Sequence, residues 1–571
     1  MNSTTSLRLW IGLPLALLLA GCTAAHYRKS ADADAYRAIK QKTPMVRNMD
    51  PNFTIEQTNK LSLDGLPIST NVPEALGPDG ERERGARILR LEDALAIAVE
   101  HSRAFQSRKE GLYLAALSLT LTRHQFTPVF SGSGNASFSG ATERAVRFEL
   151  DEATGQLKPV YSDNLVEQQQ VNASGRVGAS WLMLGVGKLT TAFTADFLRF
   201  VTGDPRLATS SQLTAEFTRP LLRDAGFKAQ MEALTQAERQ MLYDLRDFTR
   251  YRREFSVGIA TTYYGVLGSR DTVRNNFLNL QSSRKNAERT RSLAEEGRVT
   301  QSDLGRLAQQ ELSAESAWIN AIRNYQQSLD NFKLQLGLTV DESIILDDRE
   351  LEALKIQHPE IAVEDSIQVA LAARLDYLNS KDELEDADRK VKVAVNFLRP
   401  RLDFTSSVTV NSNPSNNSGL PLPDFDRYRY SAGLSLDPAF DRTSERNAYR
   451  NALISRDRAA RAVEQQSDEI KLQVRDSWRS LDQAKRSFEI SEIGVKLAER
   501  RVEEQTLLAE LGRSKAQDQV DAQNDFVNSK NQRTQALVAH TIARLQFWNN
   551  MGILYIKEHG QWEELKDEKT R

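Results

Sequence analysis

Leu91-Glu92-Asp93-Ala94-Leu95-Ala96-Ile97-Ala98 returns later in the same chain as Val363-Glu364-Asp365-Ser366-Ile367-Gln368-Val369-Ala370, an offset of 363 − 91 = 272. The offset holds at Lys109 and Lys381, Leu112 and Leu384, Ala115 and Ala387, and Pro128 and Pro400. A second register then takes over. Glu295, Gly297, Arg298, Asp303, Ala321, Phe332 and Gly337 meet Glu510, Gly512, Arg513, Asp518, Ala536, Phe547 and Gly552, each pair 215 apart. A duplicated unit of that length is too long for a solenoid repeat. It predicts two similar halves packed side by side, and a function that uses internal pseudo-symmetry rather than one special pocket.

Prolines mark where helices run. All 16 fall outside the windows 79–127, 221–358, 360–399 and 439–571, and proline inside a helix costs about 3 kcal/mol or more. Those windows are rich in good helix formers. Ile259, Val266, Val273, Leu280, Ala287 and Ala294 form a column spaced by seven. Val474, Leu481, Phe488, Val495, Val502 and Ala509 repeat that column in the second register, 474 − 259 = 215. A neighbouring column stays small, from Thr262 to Thr290, against Ser477 to Gln505 in the second copy. Large and small heptad seams predict coiled-coil packing with close helix approach. Very long helices over 225–296 and 442–511 are expected, each stopping at a glycine, Gly297 or Gly512. Return helices over 302–336 and 517–551 follow, also ending at glycine, the usual residue past a helix end.

Between the helical windows the period changes to two. Leu402, Phe404, Val408 and Val410 alternate with polar residues, and Tyr428, Tyr430, Ala432, Leu434 and Leu436 do so after a loop. Such alternation suits strands of a membrane barrel. The first copy alternates more weakly at 130–138, has a polar stretch at 142–170 that reads as a loop, then strand-like runs near 173–183, 188–197 and 212–218. The separation of Pro128 from Gly297 is 297 − 128 = 169, whereas that of Pro400 from Gly512 is 512 − 400 = 112. The first copy is therefore longer by 169 − 112 = 57 positions, and the surplus belongs to the strand region.

Net charge is −2, and nothing in that balance suggests a nucleic-acid footprint, which needs a basic excess on some face. With mean hydropathy −0.50, no run approaches the roughly 20 apolar residues of a spanning helix. The apolar run Leu9–Ala20 behind Arg8 has the shape of a secretory signal. It ends Leu19-Ala20-Gly21-Cys22, and Cys22 is the only cysteine. That ending resembles a bacterial lipobox, which implies cleavage before Cys22 and its acylation. An ordinary export signal with a chance cysteine is the plainer alternative. Thr23 follows, rather than the Asp that retains enterobacterial lipoproteins at the inner membrane, which favours the outer membrane.

Lipobox, helix, strand hairpin, very long helical hairpin, and the same again: this order resembles the TolC-like outer-membrane efflux protein family, lipoprotein subtype, over about residues 88–555. The motifs are the two opening octapeptides and Pro128 and Pro400. To these add Arg219-Pro220-Leu221-Leu222-Arg223 and Leu436-Asp437-Pro438-Ala439-Phe440-Asp441-Arg442 at strand-to-helix junctions. The resemblance implies a mainly α fold with β. Three protomers pool strands into one outer-membrane β-barrel, continued by a periplasmic α-helical coiled-coil barrel, with two pseudo-repeats per chain. The organisation expected is a signal peptide (1–21), a lipidated N-terminal linker (22–87), a first helix-strand-helix repeat (88–340), a linker (341–360), a second repeat (361–555) and a charged tail (556–571). The function implied is the exit duct of a tripartite efflux or type I secretion system, passive and not enzymatic. Partners implied are a homotrimer, a periplasmic adaptor protein, an inner-membrane pump of RND or ABC type, and outer-membrane lipid. A periplasm-spanning coiled-coil structural lipoprotein is the rival of a different class.

By the same resemblance, Asp518 and Asp521, six and nine residues past Gly512, correspond to aspartates that ring the periplasmic aperture. They share a helix face, and acidic rings favour cations; alternatively they are first-turn acids answering the helix dipole. Asp303 lies six past Gly297, with Arg306 at nine, and an Asp303–Arg513 bridge between tips would hold the duct shut. Gly297, Val299, Leu511 and Gly512 are the expected adaptor contacts. No cofactor or metal is expected: the six histidines are scattered without paired spacing. Gly185-Val186-Gly187-Lys188 lacks the first glycine and the hydroxyl residue of a phosphate loop.

Overall fold

The structure, a computed structural model, describes residues 23–56, 63–151, 156–201, 207–296, 300–413, 422–511, 513–557 and 559–563. In chain order the main elements begin with α1 (Ala24–Lys42), β1 (Arg87–Leu89), α2 (Leu91–His101) and α3 (Arg103–His124). Four strands follow, β2 (Val129–Asp151), β3 (Gln156–Met183), β4 (Gly187–Phe200) and β5 (Leu207–Pro220), then the helices α4 (Glu232–Glu295) and α5 (Gln301–Leu336). The second half has β6 (Ile344–Leu346), α6 (Val363–Ala373), α7 (Leu375–Phe397), β7 (Arg401–Ser412), β8 (Pro423–Asp437), α8 (Thr443–Glu510) and α9 (Ala516–Asn550). Two short strands, β9 (Tyr555–Ile556) and β10 (Trp562–Glu563), form a terminal hairpin. The fold is mainly helical with a sheet. The chain divides into two compact units, one of Met1–Ala116, Met241–Glu383 and Ala460–Arg571, the other of Leu117–Gln240 and Leu384–Ala459.

In the first unit both repeat registers have a physical meaning. The opening helices break at Ser102 and Arg374, each with extended ψ, of 123° and 125°, and 374 − 102 = 272. The return helices end on Gly337 and Gly552, left-handed at φ 87° and 73°, 215 apart. Each glycine sits against its own copy's break. A Cβ on Gly337 would stand 2.1 Å from the His101 carbonyl oxygen, and one on Gly552 would stand 3.1 Å from Arg374 and 3.3 Å from the Ala373 backbone. Strands β1 and β6, which pair in parallel, bring Leu346 and Leu89 into the same buried layer as Tyr263, whose hydroxyl donates to the Leu89 carbonyl at 3.0 Å.

The heptad column of α4 is interior: Ile259, Val266, Val273, Leu280 and Ala287 are all at most 2% exposed. Each of the larger side chains taken out of water stabilises by roughly 1.5–3 kcal/mol. The matching column of α8 is buried only at its start. Val474 and Leu481 pack with Ile367, Ala370, Ile470, Phe547 and Met551, while Phe488, Val495, Val502 and Ala509 are half-buried. On the same stretch Ile490, Ile493, Leu497 and Leu507 are exposed. The two columns share a pattern and differ in cover.

The stretch 22–87, expected as a linker, is packed over much of its described length. Its high charge conceals a set of apolar residues, Ala35, Ala38, Ile39, Val46, Met49, Phe53 and Leu76, all buried. Phe53 lies edge-on to Phe248, Tyr113 donates its hydroxyl proton to Asp32, and Trp318 Nε1 donates to the Ala75 carbonyl at 2.7 Å. Glu83 accepts from Tyr325 and from Arg270, both at 2.8 Å. Burial pushes the Glu83 carboxyl up, against the pull of Arg270. His540 stands 540 − 325 = 215 from Tyr325, and neither of its ring nitrogens has a hydrogen-bond partner among the described residues. Burial first, then Arg544, His358 and Lys485, lowers its pKa to about 4.

The second unit carries one six-stranded antiparallel sheet in the order β2-β3-β4-β5-β7-β8. Here the sequence expectation needs correction. The described residues of 142–170 are not a loop: β2 and β3 pair from Val129↔Ser180 out to Asp151↔Gln156, with one shift between Arg144 and Val146. Alternation fails there because an antiparallel ribbon needs only backbone partners, and among the described residues β4 pairs with β3 out to Gln170. The described part of the first copy's surplus is therefore largely strand.

Cross-strand partners define the two faces of the sheet, since they lie on the same side. Phe130, Val177, Phe193, Leu213, Val410 and Tyr428 lie on one face, one from each strand. On β2 this face runs from Phe130 to Phe138 before turning polar at Gly140, Thr142 and Arg144. The β3–β4 turn is tight, with the Val186 N–H donating to the Met183 carbonyl at 3.0 Å and the Gly185 N–H to Gln230 Oε1 at 2.9 Å. The flanking helix segments meet through ion pairs, Arg123–Glu238 (2.7 Å), Arg389–Glu232 (2.6 Å) and Arg223–Glu445 (3.1 Å).

Candidate functional site: the helical tips

The two tips lie in the connections after α4 and after α8. They are brought together by a small apolar cluster, Ala287, Leu307 and Ala516 with Val520 against it. Small residues there let helices of the two copies approach closely. Gly297, Val299 and Gly512 lie outside the described residues, as does Cys22. Leu511 is described and is 68% exposed, an apolar side chain presented to solvent at the very end of α8.

The two tips start their return helices differently. At the first, Thr300 Oγ1 accepts the Asp303 N–H at 3.2 Å and donates to the Asp303 carboxylate at 2.7 Å. Asp303 is thus occupied as part of the cap, satisfying a donor that the first turn otherwise leaves open. At the second tip Lys515 occupies the N-cap without a side-chain cap bond. Asp518 stands in that first turn, where its charge answers the helix dipole, and it has no side-chain hydrogen bond or ion pair among the described residues. Arg513 donates its backbone N–H to the Leu508 carbonyl at 2.8 Å. Among the described residues no ion pair joins Arg513 to Asp303.

Asp521 is engaged in a relay that crosses between copies. Its carboxylate accepts from Gln517 Nε2 at 2.9 Å, and Gln517 Oε1 accepts from Arg306 Nη1 at 2.9 Å. Arg306 and Asp521 are repeat-equivalent, 521 − 306 = 215, so the duplicated position holds opposite charges joined through one amide. One turn along, Gln310 and Asn524 exchange amide hydrogen bonds of 2.8 and 3.4 Å. Arg289 and Glu510 approach to 3.9 Å, and Arg501 pairs with Asp525. Further up, Asn275 donates to Asn531 at 2.9 Å and Thr534 to Asp271 at 2.6 Å. Sequence reasoning picked out Asp303, Asp518, Asp521 and Arg513 but missed Gln517, Gln310 and Asn524. Their only signal is polarity at positions where the heptad faces another helix.

The tips are therefore held by a thin apolar contact beneath a ladder of amide and ion-pair links. Exposed pairs of this kind contribute about 0–1 kcal/mol each. Among the described residues no group of three or more His, Cys, Asp or Glu is placed to hold a metal ion. No described helix is long and apolar enough to cross a membrane.

No protein-family model and no curated protein matches the sequence. Solved structures do. The outer-membrane channel OprN is similar with a TM-score of 0.56 at 12% identity, over 90% of this chain and 98% of that one. VceC, an outer membrane protein of Vibrio cholerae, gives 0.57 at 13% over 81% and 96%. The CmeC outer membrane channel of Campylobacter jejuni gives 0.57 at 13% over 92% and 97%. The chain has the fold of the TolC-like outer-membrane channels. The likeness spans nearly the whole of each of these three neighbours.

Proposed function

We propose that the chain is the outer-membrane exit duct of a tripartite efflux or type I secretion system, acting as a homotrimer. The observation that carries this reading is the sheet. One face is apolar on all six strands, and Phe130, Phe138, Val177, Val408, Tyr430 and Leu434 on it are each more than 40% exposed. A face of that extent needs a lipid surface or another protein. The edges β2 and β8 have no neighbour within the described chain, and lipid forbids an open edge. Three copies joining edge to edge meet both demands. The uncovered seam of α8 finds its cover in the neighbouring copy, and the tips of three chains surround a periplasmic aperture.

In this reading Cys22 carries the acyl anchor, Asp518 and Asp521 line the aperture, and Asp303 and Arg513 stand beside them. Gly297, Val299, Leu511 and Gly512 meet a periplasmic adaptor, and an inner-membrane pump of RND or ABC type supplies the energy. No catalytic step is involved. A purely structural lipoprotein has no use for an apolar sheet face. The test is purified protein in planar lipid: heat-modifiable trimers that conduct ions are expected, and a monomer without conductance defeats the proposal.

A further inference from the structure

The first copy contributes four strands to the sheet and the second contributes two. The duplication needs only one pair from each copy, so β3 and β4 are an inserted hairpin. Three features make it part of the wall rather than an ornament. It lies inside the sheet, with β2 beyond it as the edge, and is paired along both sides: β3 to β2 and β4, β4 to β3 and β5. Its side chains obey the same division as the others, Val177, Trp181, Phe193 and Phe197 on the apolar face and Ser174, Arg176, Thr190 and Thr194 on the opposite one. Its apolar span, Val171 to Trp181 on β3, is the roughly 9–11 residues that a tilted strand needs to cross the hydrocarbon.

We infer that the assembled barrel has eighteen strands, six from each of three chains, and that β2 of one chain pairs with β8 of the next. This rests on the trimeric channel reading. Strands about 4.8 Å apart and tilted about 40° close at a backbone diameter of about 36 Å for eighteen, against about 24 Å for the twelve that one pair per copy would give. Barrels of 16–18 strands leave an open aqueous channel. The lining is the polar face, rich in the hydroxyls of Ser131, Ser133, Ser174, Thr190, Thr194 and Ser431. Its charges on these strands are of mixed sign, Arg176 and Lys188 with Asp196 and Glu216, so the membrane end is wide and without one dominant charge. Discrimination among solutes is then left to the tips.

Two measurements on the full-length protein in liposomes test this. The first reads quenching by brominated phospholipid of added tryptophans, as the difference from the parent: Val177→Trp on the inserted hairpin, Tyr430→Trp on β8, and Ser133→Trp on the polar face. Strong quenching at 177 and 430 and little at 133 is expected. The second is oxidative cross-linking of Ser431→Cys with cysteines at Ser131, Ser133 or Asn135 of β2, and separately with Thr194→Cys of β4, against the parent with Cys22 alone. Covalent trimers are expected from at least one β2 combination and none from β4. Quenching at 430 without quenching at 177, or trimers linked through β4, overturns the eighteen-stranded barrel and leaves the channel standing. No lipid quenching at 430 and no cross-linked trimer by either route overturns the channel reading itself.

Discussion

At the scale of single residues, Gly337 is the most constrained position described. Its left-handed φ and the His101 carbonyl 2.1 Å from a would-be Cβ make Gly337→Ala costly on both counts, by about 2 kcal/mol or more. Gly111, inside α3 with nothing within 4 Å, is the contrasting case: Gly111→Ala leaves stability unchanged or raises it by up to about 1 kcal/mol. Thermal unfolding followed by helical circular dichroism separates the two, and equal melting temperatures would defeat the argument. Both terminal glycines were legible in the sequence as caps. Their equal spacing from the tip glycines in the two copies had no local explanation, because it is set by the break between the opening helices. His540 was passed over as one of a scattered set, and only packing reveals it. Its pKa near 4 in the fold lies below the ordinary value of about 6.5. The unfolded chain therefore takes up the proton first, and stability falls as pH drops from about 6.5 towards 4, by at most about 3 kcal/mol. Near it stand Arg544, His358 and Lys485, with Asp482 and Glu489 close to His358. The difference in melting temperature between pH 7 and pH 4.5 should shrink in His540→Gln; an unchanged difference assigns the acid sensitivity elsewhere.

At the scale of elements, the tips are where small changes have large effects. Replacing Asp518 and Asp521 together by Ala should weaken block by multivalent cations added from the tip side, and channel recordings with unchanged block would remove these carboxylates from the aperture. Arg306→Ala and Gln517→Ala cut the relay that ties α5 to α9. Each should raise the fraction of time spent conducting by several-fold, since the links broken contribute only about 1 kcal/mol apiece; recordings identical to the parent would show that the relay does not hold the tips. The long helices were legible because their periodicity is local: α8 runs Thr443–Glu510 where 442–511 was expected, while α4 runs Glu232–Glu295 where 225–296 was expected, starting seven residues late. The ribbon at 142–170 was illegible for the opposite reason. Its order comes from backbone partners on the neighbouring strand and not from a pattern in its own side chains.

At the scale of the whole molecule, the exposed seam of α8 is the feature that a second copy covers if the chain assembles as proposed. Ile490→Gln with Ile493→Gln and Leu497→Gln should lower the temperature at which trimers dissociate in detergent, while the helical signal of the monomer is kept. An unaltered dissociation temperature would place these side chains outside the contact. The duplication announced two like halves, and in the long hairpins they are like. At the sheet they differ, four strands against two, which the greater length of the first copy foreshadowed without saying whether it was wall or ornament. The same sheet has a consequence for biogenesis. On the trimeric channel reading, a single chain before assembly holds an oily surface and two sticky edges that it has no means of hiding alone. On that reading folding and insertion are one event requiring three participants, and its rate climbs steeply with the supply of new chains. Cells making little of this protein will lose a larger share of it to proteolysis than cells making much.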